Sequence, residues 1–153
     1  MRSEWPIHSL NDLCNTITDG AHQSPKSVVE GKPMASVKDM TRFGINLSEA
    51  RKISHNDFEM LVRQGCKPEI GDVLIAKDGN SALDTTCCVD QSLDAVLLSS
   101  VAILRPNPKT LDSHFLKHYL SSPDVIAYLK SNFISGAAIP RVVLTCPPPA
   151  VPA

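Results

Sequence analysis

His114 and His118 lie four residues apart on a stretch that reads as a helix, a spacing that can aim both rings at one metal ion. A zinc protease of the His-Glu-x-x-His kind needs glutamate after the first histidine; here that residue is Phe115, and the sequence places no third ligand. Cys87-Cys88 offers a thiol nucleophile, but neighbours on a strand point to opposite faces, and cysteines in an apolar run pack as core. Asp19, His22 and Ser24 are the residue types of a hydrolase triad, yet triads are assembled by the fold, and these types meet in one loop by chance. Neither Gly71-Asp72 nor Asp78-Gly79-Asn80-Ser81 matches the phosphate-binding pattern, and no G-x-G-x-x-G dinucleotide fingerprint occurs. No convincing active site emerges. The segment from Ala21 to Lys32 is polar and without apolar period, and its His22, Gln23, Ser24 and Lys26 make it the first candidate functional loop.

Strands with interspersed short helices must position these groups. Trp5 to Leu10 reads as a short edge strand, because Pro6 cannot donate to a central ladder. Ser9 then caps a short helix, and Thr16-Ile17-Thr18 is extended up to Asp19-Gly20. Pro33 to Val37 is a predicted strand, and Arg42-Phe43-Gly44 a turn. Ser54 can cap Asp57 while Ile53 staples onto Phe58, which predicts a helix to about Gln64 that stops at Gly65. Gly71 to Lys77 is a buried-type strand that ends in an Asp78-Gly79 turn, with Thr85 to Val89 as its returning partner. Val96 to Leu104 reads as one nearly continuous apolar strand closed by Arg105-Pro106. Asp112 and Ser122-Pro123 start two further helices. Regular strand-helix alternation is absent. The expected fold is therefore α+β, a single irregular domain over residues 1–145 with a mixed or antiparallel twisted sheet, followed by a proline-rich extended or disordered tail at 146–153.

A chain of 153 residues can bury a core without staples, and 42% hydrophobic with 20% charged residues is the balance of a folded soluble protein. Five cysteines with no C-x-x-C spacing suggest neither a disulfide framework nor a zinc ribbon. With no membrane-length apolar run and no signal-like start, the expected location is the cytoplasm. A net charge of −1 argues against holding nucleic acid by bulk charge. The charge is uneven, however: residues 21–67 carry eight Lys and Arg against five Asp and Glu, and the balance reverses beyond. A solvated mixed-charge surface or a locally basic face both fit that count.

Several segments, taken in order, resemble the target recognition domain of type I restriction-modification specificity subunits. They are Trp5 to Leu10 with Ile17 to Pro25; Gly31-Lys32-Pro33 leading to Ser36-Val37-Lys38-Asp39; Arg51-Lys52-Ile53-Ser54 with Asp57-Phe58; Gly71 to Gly79; Ser99 to Pro106; Phe115-Leu116 with Tyr119-Leu120; and Gly136 to Arg141. Each piece alone is unspecific; their order and spacing across residues 5–144 carry the resemblance. It implies a non-catalytic module that reads one half of a bipartite DNA site. Methyl transfer and cleavage then belong to partner methylation and restriction subunits, docked through long helices between two such domains. The sequence departs from this pattern after Leu144, passing into Pro147-Pro148-Pro149 where the spacer helix is expected; that implies a truncated product or an isolated module.

On this reading Lys26, Lys38, Lys77 and Arg141 neutralise phosphates, which sets register without reading sequence. His22, Gln23, Ser24, Asn80 and Ser81 offer donors and acceptors to base edges. The expected partners are double-stranded DNA and the methylation and restriction subunits, with no cofactor, no metal and no membrane; a homodimer stays open. Two alternatives stand beside it: an interaction protein that occupies methylation or specificity subunits without reading DNA, and a small metal- or thiol-dependent hydrolase built on His114, His118 or the cysteines.

Overall fold

Two apolar runs, Val73–Ala76 and Val101–Leu104, are buried along their whole length and pair with each other inside a four-stranded sheet. The computed structural model describes residues 7–77, 85–132, 134–135, 141–142 and 150–152. In chain order the elements are β1 (Ile7–Ser9), α1 (Leu10–Leu13), β2 (Cys14–Asp19), β3 (Lys32–Ala35), a 3-10 turn (Val37–Asp39), β4 (Met40–Thr41), β5 (Gly44–Ile45), β6 (Arg51–Ile53) and α2 (His55–Arg63). There follow β7 (Val73–Ala76), β8 (Thr86–Cys88), β9 (Val96–Leu97), β10 (Val101–Pro106), α3 (Ser113–Ser121), α4 (Pro123–Asn132), β11 (Ile134–Ser135), β12 (Arg141–Val142) and β13 (Ala150–Pro152).

The main sheet runs β2-β10-β7-β8 and is antiparallel throughout. A second sheet, β6-β3-β9, is mixed: β3 pairs antiparallel with β6 and parallel with β9. The fold is α+β, as the irregular order of elements predicts. Because strand side chains alternate faces, the main sheet feeds two cores. Leu74, Ala76, Cys87, Val101 and Ile103 pack with Ala35, Met40 and Leu97. Val73, Ile75, Cys88, Ala102 and Leu104 pack with Leu10, Leu13, Leu116 and Leu120 of the helices on the other face. Cys87 and Cys88 thus divide between two cores. A third core, under α2, joins Phe58 and Leu61 to Met34, Ile53 and Val96.

The helix starts follow the local capping chemistry. Ser54 Oγ accepts from the Asp57 amide at 3.1 Å, and Asp112 Oδ1 from the Phe115 amide at 2.8 Å. α2 ends where Gly65 adopts φ +85°, a left-handed conformation that suits glycine. One expectation is corrected: Val96 to Leu104 is two strands in two sheets. Val96–Leu97 joins β3, the chain turns with the Val101 amide on the Leu98 carbonyl (3.0 Å), and Val101–Pro106 joins the main sheet. The break falls at Leu98-Ser99-Ser100, where the backbone of Gly20-Ala21 inserts between the two halves. The predicted strand at Pro33 to Val37 ends at Ala35, and the Asp39 carboxylate accepts from the Ser36 amide at 2.9 Å to turn the chain.

Ala150–Pro152, within the proline-rich tail, pairs antiparallel with Ile7–Ser9. Trp5, Pro6, the Asp78-Gly79 turn, Gly136 to Pro140 and Pro147 to Pro149 lie outside the described residues.

Where β7 begins and β10 ends, the fully buried Asp72 receives Arg105 in a fork, Nε to Oδ1 at 2.8 Å and Nη2 to Oδ2 at 2.9 Å, with the Glu69 amide on Oδ2 at 2.8 Å. The hydrogen bond to Asp72 holds the guanidinium more firmly protonated than usual, against the opposing effect of desolvation. Removing one member of such a pair strands the other charge in the interior. Arg105→Met is expected to lower stability by about 3 kcal/mol in urea unfolding, and the double variant with Asp72→Asn to recover part of that loss.

Candidate nucleic-acid interface

Three passages of chain converge at one end of the main sheet. β2 leaves at Asp19, β7 leaves at Lys77 and β10 enters at Val101. The pairings Asp19 with Ala102, Ala102 with Ile75, and Ile75 with Thr86 form one row across all four strands at this end. The candidate loop, predicted from Ala21 to Lys32, starts here and ends where β3 begins at Lys32.

Its first residues have no freedom. The Gly20 amide donates to the Val101 carbonyl at 3.0 Å and the Ala21 amide to the Leu97 carbonyl at 2.7 Å, while the Ala21 carbonyl accepts from Ser99 at 2.8 Å. A Cβ on Gly20 would sit 2.3 Å from the Leu98 carbonyl oxygen, so this close approach requires glycine. Further along, Arg51 of β6 reaches under the loop. Its Nη1 donates to the Pro25 carbonyl at 2.6 Å and to Ser27 Oγ at 3.0 Å, and its Nη2 to Ser24 Oγ at 2.8 Å. The Val28 amide adds a bond to the Lys52 carbonyl at 2.8 Å. The loop is therefore fixed while the side chains of His22, Gln23, Ser24 and Lys26 face solvent.

Beside it opens a cleft of about 440 Å³, lined by Thr18, Asp19, His22, Gln23, Gln64 and Cys66. Asp19 organises its polar side. Its Oδ2 lies 2.7 Å from Lys77 Nζ and 3.3 Å from His22 Nε2, and its Oδ1 is buried without a hydrogen-bond partner among the described residues. Ser24 is committed to Arg51, so the three triad residue types do not read as a nucleophile-base-acid relay.

No protein-family model matches the sequence, and no curated protein matches it. Among solved structures, the chain is similar to the HsdS subunit from Thermoanaerobacter tengcongensis, with a TM-score of 0.52 and 16% identity over 97% of this chain. The chain shares the HsdS fold. It spans 34% of the length of that HsdS chain.

On this HsdS-like scaffold, His22, Gln23, Ser24 and Lys26 come together on one loop. Lys38, also exposed, sits on the 3-10 turn, which is tied to the same sheet end where the Val37 amide donates to Ser100 Oγ at 3.3 Å. Lys77 does not fit the phosphate role expected of it. Only 4% of its side chain is accessible, and its ammonium is spent on Asp19. Asn80 and Ser81 lie outside the described residues; the chain departs towards them at Lys77 and returns at Thr85, whose carbonyl accepts from the Ala76 amide at 3.0 Å. Arg141 is in β12, paired with Ser135. Sequence reasoning missed Arg51 as the fastener of the loop, because its partners lie far upstream and no local pattern links them.

The histidine and cysteine alternatives find no support in the geometry. His114 Nε2 lies 3.0 Å from Asp90 Oδ1, and no group of three or more His, Cys, Asp or Glu among the described residues is placed to hold a metal ion. Burial pushes the Cys14 thiol up to about 11 and Cys87 to about 12, the reverse of what activates a nucleophile.

Two tests follow from this geometry. Arg51→Met should speed hydrogen exchange and proteolysis in residues 22–29 and lower stability by about 1–2 kcal/mol. The buried thiols stay protonated in the folded protein while unfolded thiols ionise near 9.0, so their contribution to stability is complete below that value. It is lost as the pH rises towards about 11 and 12. Urea midpoints should therefore fall between pH 8.5 and 10, and iodoacetamide should label Cys87 only upon unfolding.

Proposed function

We propose that this chain is a DNA-specificity domain that reads a short duplex sequence, one half of a bipartite target of a type I restriction-modification system. The observation that carries this reading is the HsdS fold, shared over 97% of the chain, together with a fastened loop that turns His22, Gln23, Ser24 and Lys26 to solvent. The ordered segments of the sequence that resemble a type I specificity subunit support the same reading.

The division of labour is straightforward. Lys26 and Lys38 engage phosphates and set the register of the domain on the duplex. Gln23, with a donor and an acceptor side by side, suits the N6 and N7 edge of adenine, and His22 and the Ser24 hydroxyl, which accepts from Arg51 and keeps its own proton to donate, supply further contacts. Asn80, Ser81 and Arg141 are proposed as further contacts. The domain performs no chemistry; methylation and cleavage fall to methylation and restriction subunits that are its partners in the cytoplasm. No described helix is long and apolar enough to cross a membrane.

The test is selection from a randomised duplex pool across a salt series. The full chain should enrich one short motif. Lys26→Ala with Lys38→Ala should weaken all sequences alike and reduce the magnitude of the log-log salt slope by about two. Gln23→Ala should instead relax the preference at one base pair. Absence of enrichment at low salt would defeat the reading.

A further inference from the structure

A second surface, beside the edge strand β8 of the main sheet, lies outside the candidate loop. β4 and β5 form a two-stranded ribbon, Met40 paired with Ile45 and Thr41 with Gly44, whose tip carries Arg42 and Phe43. The tip is well defined: Thr41 Oγ1 donates to the Gly44 carbonyl at 3.0 Å and accepts from the Phe43 amide at 3.2 Å. Phe43 is 84% exposed, although Met40 at the ribbon's base is buried in the core. A single exposed apolar residue is ordinary, but this ring stands at a defined turn with the Arg42 guanidinium 5.6 Å from its centroid.

The surroundings define what such a tip can meet. Between the ribbon and α3 lies a groove of about 660 Å³, lined by Arg42, Phe43, Thr86, Lys117 and His118 among others, with no carboxylate among its lining residues. On the ribbon's other flank Asp90 is engaged by His114. Thr86 closes the strand row that begins at Asp19. Three strand spacings of about 4.8 Å separate those two positions, so Asp19 at the root of the candidate loop and Thr86 beside the ribbon stand about 14 Å apart across the sheet. A DNA major groove, about 12 Å wide, admits a two-stranded ribbon.

We infer that the β4-β5 ribbon is a second DNA-reading element, entering a major groove with Phe43 against a thymine methyl group while Arg42 and Lys117 hold the flanking phosphates. A phenylalanine has no hydrogen bond to offer a base, and the thymine methyl is the apolar mark on the major-groove edge. The acid-free groove beside the ring complements phosphate. This inference rests on the DNA-specificity reading and extends it to residues that reading does not use.

Replacing thymine by deoxyuridine removes the methyl and keeps every base-pairing group. After a motif has been enriched with the full chain, each thymine in it is exchanged in turn. One exchange is expected to weaken binding by about fourfold, the worth of one buried methyl, and Phe43→Ala should bind both duplexes equally. Arg42→Ala with Lys117→Ala should reduce the magnitude of the salt slope by about two. Phe43 is exposed, so the variant should unfold at the same urea concentration as the parent. If no thymine matters, or if Phe43→Ala retains the methyl dependence, the inference falls while the specificity reading stands, and the ribbon would be left to a protein partner. If the full chain enriches nothing, both fall.

Discussion

An ammonium with 4% of its side chain accessible has to keep its counter-charge, and Lys77 keeps Asp19 at 2.7 Å. Lys77 directly follows β7 and Asp19 ends β2; the strand between them is β10. The pair therefore clamps both neighbours of the central strand at the end where the candidate loop leaves. Breaking it would cost several kcal/mol, because the partner left behind is an uncompensated interior charge. Asp72 and Arg105 do the same work where β7 begins and β10 ends. Side chains along β7 and β10 between the two pairs, Val73 to Ala76 and Val101 to Leu104, are apolar and buried, so the polar interactions sit at the strand ends, where they fix register.

That arrangement explains why the loop can be both exposed and ordered. Gly20 and Ala21 are locked into the seam between the two sheets, Arg51 ties Pro25, Ser24 and Ser27 from beneath, and the readable side chains project from a backbone that has no further ordering to do. Ordering a loop only on contact with DNA would subtract from affinity, whereas a loop ordered in advance avoids that loss. A recognition surface of this kind depends less on long-range attraction than on where its donors stand. On the proposed DNA-specificity reading, a net charge of −1 is compatible with a polyanionic partner because a few cations stand at the loops, with the acidic excess elsewhere.

The parts of the fold that were legible in the sequence are those decided by near neighbours. Ser54 and Asp112 cap amides three residues on; Arg42-Phe43-Gly44 turns within itself; the β7-β8 pairing follows from two apolar runs around Asp78-Gly79. The division of Val96 to Leu104 was not legible, since both halves are buried and an apolar run looks the same whether it serves one sheet or two. Lys77 failed for a related reason. A lysine at a strand end next to Asp78-Gly79 reads as surface, and only the fold brings it to an aspartate on another strand. That His22 to Lys26 form an exposed loop was legible because they lack any period, and Arg51 was missed because its role is made entirely of distant contacts.

Phe43 carries the converse lesson. An aromatic residue inside a predicted turn, between Arg42 and Gly44, has nowhere to be buried unless another segment covers it. The sequence thus contained the signal for an exposed ring, but the ribbon's place beside Thr86 and Lys117 depends on Met40 anchoring it in a core built by β3, β7, β8 and β10. The same buried sheet that fixes the loop at Asp19 therefore fixes the ribbon beside its opposite edge strand, β8. Shape and spacing on this surface are set by strand pairing, so whatever partner it meets, the geometry it presents is the geometry of the sheet.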